Sequence, residues 1–319
     1  MFILAHMSDI HLSCPPTITE LSIKRLVGLA NWHFNRKKHF SQTAVDLLVN
    51  DISTRNIDHL SITGDIVNLA NNREVSAATH WLESIGNPHD ISIIPGNHDA
   101  YASGSQMKSL HAWRNYITSD IPCTEKKLFP YLRIRNNIAL IGCSTAIMTP
   151  PFTANGYFGP KQAEDTAKIL RKANKDGIFR VVMMHHPPVL NTTSIYNRMF
   201  GIQRFKDMIL CEGAELILHG HTHLNSLHWI QSPGGRTPVV GIASASHRIK
   251  TKKPQASYNL FYIARHGDYW NLRGARYTLS PDSTHVHEEC SNIFPNEIFF
   301  KSQFPLSSFP DNTRLSSES

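Results

Sequence analysis

Apolar residues in this chain come in short bursts, and five of those bursts stop at a polar turn. Ile3–Ser8 stops at Asp9-Ile10-His11, and Leu60–Thr63 at Gly64-Asp65. Ile91–Ile94 runs into Pro95-Gly96-Asn97-His98-Asp99, Val181–Met184 into His185-His186-Pro187, and Glu215–Leu218 into His219-Gly220-His221-Thr222-His223. Runs of this length, closed by turn residues, predict buried strands. Between them, apolar residues spaced three to four apart predict helices over Thr43–Thr54, Glu74–Ile85, Ser105–Ile117, Gln162–Asn174 and Gln203–Cys211. The alternation at the start of the chain is βαβαβ, which predicts a parallel sheet there. Leu128–Arg135 and Ile138–Ser144 predict a hairpin turning at Asn136-Asn137.

From Leu224 the pattern shifts. Ser226–Gln231, Pro238–Ala245, Tyr258–Arg265 and Tyr269–Tyr277 read as short strands joined by turns, hence antiparallel β structure. Residues 280–319 are rich in Ser, Pro and Asn, and acids outnumber bases. That composition predicts one domain over 1–279 followed by a poorly ordered tail over 280–319, with Phe299, Phe300 and Phe304 as candidate anchors.

Residues 21–40 stand apart. Leu21, Ile23, Leu26, Val27, Leu29, Ala30, Trp32 and Phe34 alternate with Lys24, Arg25, Arg36, Lys37 and Lys38, without an acid. The spacing predicts an amphipathic helix with a basic face. It is either a core-packed helix with solvated lysines or a basic insertion acting as a lid or membrane-surface contact.

Composition narrows the classes. The 319 residues are 41% hydrophobic and 18% charged, ordinary for a globular protein. No apolar run approaches the roughly 18 residues that span a bilayer, and no basic segment precedes Met1–Ala5 as a secretory leader requires. Cys14, Cys123, Cys143, Cys211 and Cys290 are odd in number and form no CxxC pair, so a reducing cytoplasm fits better than a disulfide framework. The net charge of +7 suits a polyanionic partner, whether a phosphorylated metabolite, nucleic acid or an anionic membrane surface.

The polar turns carry the chemistry. Asp9, His11, Asp65, Asn97, His185, His221 and His223 offer carboxylate, amide and imidazole donors and no thiolate. Such donors suit manganese, iron, zinc or cobalt. Seven exceed what one tetrahedral ion takes and suit two ions about 3.5–4 Å apart that share a carboxylate. The two-residue period of strand backbone aims Asp9 with His11, and His221 with His223, and turns Thr222 away.

Taken in order, Asp-x-His, Gly-Asp, Gly-Asn-His-Asp, His and Gly-His-x-His, the set resembles the calcineurin-like metallophosphoesterase superfamily over about Phe2–Tyr277. The resemblance implies an α/β fold, a four-layer αββα sandwich with mixed sheets. It implies that Asp9, His11 and His223 bind one divalent ion, that Asn97, His185 and His221 bind the other, and that Asp65 bridges them. It favours His185 over His186 as ligand, which leaves His186 to the substrate cleft or to a hydrogen bond. It also implies attack on phosphorus by a hydroxide shared between the ions, with His98 assisting the leaving group. Asp99 would orient the His98 ring, or else cap the next turn.

Substrate is less constrained. The compact chain is similar to a bacterial phosphodiesterase branch of that superfamily, so hydrolysis of a cyclic-nucleotide-like or other small phosphodiester is the first expectation. The second is a pyrophosphatase or phosphodiesterase acting on a lipid-linked substrate such as UDP-diacylglucosamine at the inner membrane face, with 21–40 as the peripheral contact. A third is a catalytically inactive, partner-binding module of the same fold, against which the complete donor set argues. No strong nucleic-acid-binding signal is visible, and the sequence leaves the oligomeric state open.

Overall fold

The first strand, β1 (Phe2–Met7), is buried along nearly its whole length, and so are β2 (His59–Ile62) and β3 (Ile91–Ile93). The three pair in parallel, with Met7 opposite Ile62 and Ile62 opposite Ile93, so their C-terminal ends lie level. This is the parallel sheet that the alternation predicts. Its connections include α1 (Gln42–Ser53) and α2 (Asn72–Ile85). The computed structural model describes residues 1–14, 40–101, 104–120, 128–247 and 253–301. Of the basic stretch 21–40, only Phe40 falls among them.

On the other side of β1 the sheet continues antiparallel through β12 (Ser257–His266) and β13 (Tyr269–Leu279). A second sheet has the order β10 (Ser226–Ser232), β11 (Gly235–Gly241), β9 (Leu216–His219), β7 (Phe179–Met183), β5 (Ile138–Gly142), β4 (Tyr131–Arg135). Its centre, β5-β7-β9-β11, is parallel, and hairpins close both edges. The β4–β5 hairpin turns at Asn136 and Asn137, both with positive φ, as a two-residue primed turn requires. The late strands thus form two antiparallel hairpins as expected, and each hairpin joins a different sheet.

One continuous apolar core joins residues of both sheets. Helix α1 packs on β13 and on β14 (Val286–Cys290). Helices α4 (Pro160–Lys175) and α5 (Ile202–Glu212) cover the second sheet, and α3 (Ser105–Ala112) packs on α2. The architecture is the expected αββα sandwich of mixed sheets.

The expected boundary at 279 does not hold. Strand β14 and strand β15 (Ile298–Lys301) add end to end along the free edge of β13, opposite 276–279 and 269–272 respectively. The polar composition of 280–301 reflects an edge position, where charged residues face solvent, and not disorder. Residues 302–319 of the expected tail lie outside the described residues. A short parallel pair, β6 (Gly156–Tyr157) and β8 (Met199–Phe200), joins two loops above the second sheet.

Candidate metal centre

All seven predicted donors meet where the C-terminal ends of the two sheets face each other. Two crossing bonds hold the edges together: His221 N donates to Asp9 Oδ2 (3.1 Å) and His185 Nδ1 donates to Thr63 O (2.7 Å), while Gly220 N donates to His185 O (3.1 Å) within the second sheet. A Cβ at Gly220 would sit 1.9 Å from Ser8 Oγ, and one at Gly96 would sit 2.2 Å from Asp65 Oδ1. Only glycine lets these backbones approach so closely. Gly96 is therefore required for space and not for a left-handed turn.

The aim of the side chains has a different origin from the one the strand period suggests. The strands end at Met7 and His219, before the donors begin. Asp9 (φ 56°), His11 (φ 52°), Asp65 (φ 53°), His221 (φ 68°) and His223 (φ 56°) all hold left-handed backbone. Asp9 and His11, and likewise His221 and His223, are thus left-handed residues two apart with no positive φ at the residue between. Non-glycine residues rarely adopt this conformation, and it concentrates at functional sites.

The donors form overlapping groups. Asp9, His11 and His223 make one, and Asp9, Asp65 and His185 another, with ligand atoms inside each group within 4.8 Å of one another. His11 Nε2 and His223 Nε2 are 3.2 Å apart, and His223 Nε2 is 3.1 Å from Asp9 Oδ1. That oxygen is buried and accepts no directed hydrogen bond. On the other side, Asn97 Oδ1 lies 3.2 Å from His185 Nε2 and 3.0 Å from His221 Nδ1. Asp65 Oδ2 is 3.3 Å from His185 Nε2, and Asp65 also groups with His11 and His98. It therefore lies between the two sets.

Charge is concentrated here. Burial alone would raise the Asp9 and Asp65 carboxyls. The neighbouring imidazoles outweigh it, His223 for Asp9 and His185 for Asp65, and hold both below the usual carboxylate range. Burial would likewise lower His185, but Asp65 and Asp9 raise it to about 9. Burial, reinforced by His185, lowers His221 to about 3.

Backbone carbonyls fix several rings. Thr63 O takes the His185 Nδ1 proton and leaves Nε2 facing Asp65. Asn197 O takes the His221 Nε2 proton (2.8 Å) and leaves Nδ1 facing Asn97. Asn68 O pairs with His98 Nδ1 at 2.5 Å. Main-chain orienters carry no side-chain signature, so sequence reasoning had no signal for them. It also missed Ser244 and Ser246, whose hydroxyls donate to Asp9 O (2.6 and 3.2 Å), and Phe40, whose ring lies 4.8 Å from that of His11.

Asp99 does not orient His98, which pairs with Asn68 O instead. Its carboxylate accepts four backbone N–H bonds, from Gly96 (2.7 Å), Asp65 (2.9 Å), Ile66 (3.0 Å) and Val67 (3.1 Å). It ties the β2 turn to the β3 turn and so positions Asp65. Burial, and then Asp65 itself, raises Asp99 to about 7. His186 resolves toward the hydrogen-bond alternative: Nδ1 meets Thr145 Oγ1 (2.8 Å) and Nε2 meets Ala154 O (3.1 Å).

Above the donors lies a cleft of about 510 Å³, lined by Asp65, Asn97, His98, His221 and His223 on its floor, and by Thr192, Thr193, Ser194 and Asn197 on one wall. No described helix is long and apolar enough to cross a membrane.

A family model for calcineurin-like phosphoesterases matches residues 2–225. No curated protein sequence matches at a significant level. Among solved structures, the chain is similar to a dimetal phosphatase from Danio rerio at 12% identity, covering 91% of this chain and 99% of that one with a TM-score of 0.59. It is also similar to a purple acid phosphatase from yellow lupin (Lupinus luteus) seeds at 11% identity, covering 99% of this chain and 57% of that one with a TM-score of 0.58. At such identities the likeness speaks to fold alone.

Proposed function

Because the chain belongs to the calcineurin-like phosphoesterase family, we propose that it hydrolyses a phosphodiester, using two divalent cations held by the seven converging donors. The observation that carries this reading is the pair of facing nitrogens, His11 Nε2 and His223 Nε2, opposite a buried Asp9 oxygen that accepts no directed hydrogen bond. A core that buries an ionised carboxylate normally saturates it. Oxygen, amide and imidazole donors without sulfur fit manganese, iron, zinc or cobalt. Asp9, His11 and His223 hold one ion, Asn97, His185 and His221 the other, and Asp65 lies between.

When bound, such a pair lowers the pKa of water and neutralises charge on phosphoryl oxygens. The chain's own groups do the rest. Thr63 O and Asn197 O hold the ring tautomers that turn His185 Nε2 and His221 Nδ1 toward the donors. His98 lines the cleft with Nδ1–H donating to Asn68 O, so its Nε2 can hand a proton to the leaving oxygen only while the ring is an imidazolium. The test is cleavage of bis(p-nitrophenyl) phosphate after loading with each of the four metals in turn. Activity with at least one of them, lost on chelation and restored by that metal, supports the reading. Inactivity with all four rejects it.

A further inference from the structure

Two loops border the cleft, 144–158 and 187–200, and they are unlike the rest of the surface. They share 29 residues without one acid, and Arg198 is their sole charge. Backbone bonds stitch them together: Ala154 N donates to Tyr196 O (2.8 Å), Gly156 N to Arg198 O (3.2 Å) and Phe158 N to Phe200 O (2.9 Å). Asn155 Nδ2 adds a bond to Ile195 O (2.8 Å). The loops thus form one platform, and Ala154, Thr192, Ser194 and Asn197 on its inner side line the cleft.

The outer side is apolar. Met148, Phe152, Tyr157, Ile195, Tyr196 and Phe200 are all exposed. Tyr157 and Phe200 are the outward members of the β6–β8 pair, whose inward members Gly156 and Met199 are buried. Phe152 is 88% exposed and holds φ 65°. It sits on a turn closed by Thr149 Oγ1 donating to Thr153 O (2.7 Å) and Thr153 Oγ1 donating to Pro150 O (2.9 Å). A bulky aromatic in left-handed backbone, aimed at water, serves neither the core nor the turn, where Asn or Gly fits better.

We propose that this platform is a landing surface for an anionic lipid–water interface, and that the cleft beside it takes a phosphoester presented from that interface. The substrate part of the proposal rests on the phosphodiesterase reading above. Aliphatic and aromatic tips enter the headgroup region, and the two tyrosines suit its boundary, with an apolar ring and a polar hydroxyl. Arg198 on the platform, Lys253 in the cleft wall and the net charge of +7 favour anionic headgroups, and no acid on the platform opposes them.

The experiment is sedimentation of the full chain with vesicles of phosphatidylcholine alone or mixed with phosphatidylglycerol. The wild type is expected to partition onto the mixed vesicles. The double variant Phe152→Asn, Tyr196→Ser is expected to lose affinity by roughly tenfold or more, given the apolar area removed, and to cleave soluble bis(p-nitrophenyl) phosphate at the wild-type rate. Absence of partitioning, equal partitioning of the variant, or equal binding to pure phosphatidylcholine overturns the proposal. So does a concentration-dependent dimer that the variant abolishes, which would assign the platform to a second copy. Failure of wild type on the soluble substrate would instead strike the two-metal reading and leave the vesicle result standing.

Discussion

At the floor of the cleft, five of the seven donors hold left-handed backbone, six of the seven are buried, and each turn is tied to its neighbours across the sheet interface. At the rim, loops 144–158 and 187–200 are stitched to each other and turn bulky apolar side chains outward. Both regions contain strain, but of different kinds. Left-handed non-glycine residues cost on the order of 1–3 kcal/mol each. On the floor, surrounding bonds impose that conformation on the groups that must converge. At Phe152 a small hydrogen-bonded turn imposes it on a side chain that meets only solvent. The contrast separates residues fixed for chemistry from residues fixed for presentation, and five substitutions break or sharpen it.

The largest effect is expected from Asp65→Ala, which removes the carboxylate lying between the two donor sets. Metal content measured on purified protein should fall at both positions and hydrolysis should fall to background. A variant that keeps two metals per chain would show that Asp65 is not shared. Next is His98→Ala, which should keep the metals yet slow turnover by roughly 10²–10⁴-fold, most steeply for a poor leaving group. An unchanged rate with such a substrate would remove His98 from the floor's chemistry.

Asp99→Asn should act through stability and metal affinity, because each carboxylate oxygen accepts two of the four N–H bonds and an amide nitrogen in place of either would face two donors. A loss of about 1–3 kcal/mol in denaturant unfolding is expected, with no change in the leaving-group dependence. A change in that dependence would restore Asp99 to the role of His98's partner.

Glu74 offers a pH test away from the donors. Its carboxylate accepts from Leu69 N (2.7 Å) and Cys14 N (3.4 Å), yet burial raises it from 4.5 to about 7. The unfolded chain therefore loses this proton first. The stability it lends is full below about pH 4.5, declines as pH rises through 7, and is gone above. Glu74→Gln should flatten that part of the stability–pH curve. A slope unchanged from wild type would assign it to other groups.

The smallest effect separates rim from floor. Phe152→Asn alone should leave the unfolding midpoint unchanged or slightly raised, since Asn adopts φ near 60° more readily. A marked loss of stability would mean that the ring packs against something the fold needs.

Much of this was legible in the residue order. The five strand ends, their Asp, Asn and His donors and the switch to antiparallel strands after Leu224 could be read because each is a local pattern. The strand period does not set the aim of Asp9-x-His11 and His221-x-His223, since the strands stop before them and all four residues hold left-handed backbone. Strands β14 and β15 were hidden because an exposed edge segment such as Val286-His287-Glu288-Glu289-Cys290 looks like a solvated tail until β13 lies beside it. Asp99 was misassigned because a carboxylate beside a histidine suggests a pair, and only coordinates reveal four amides around it.

By itself, then, the chain determined which donors exist and that each stands at a strand end, because burial and turn chemistry act over a few residues. Tertiary structure alone decided that Thr63, Asn68 and Asn197 lend their carbonyls to the rings, that Gly96 and Gly220 give way to Asp65 and Ser8, and that two apolar loops share one rim. Those outcomes depend on main-chain atoms and on contacts between segments far apart in the chain, which local patterning does not encode.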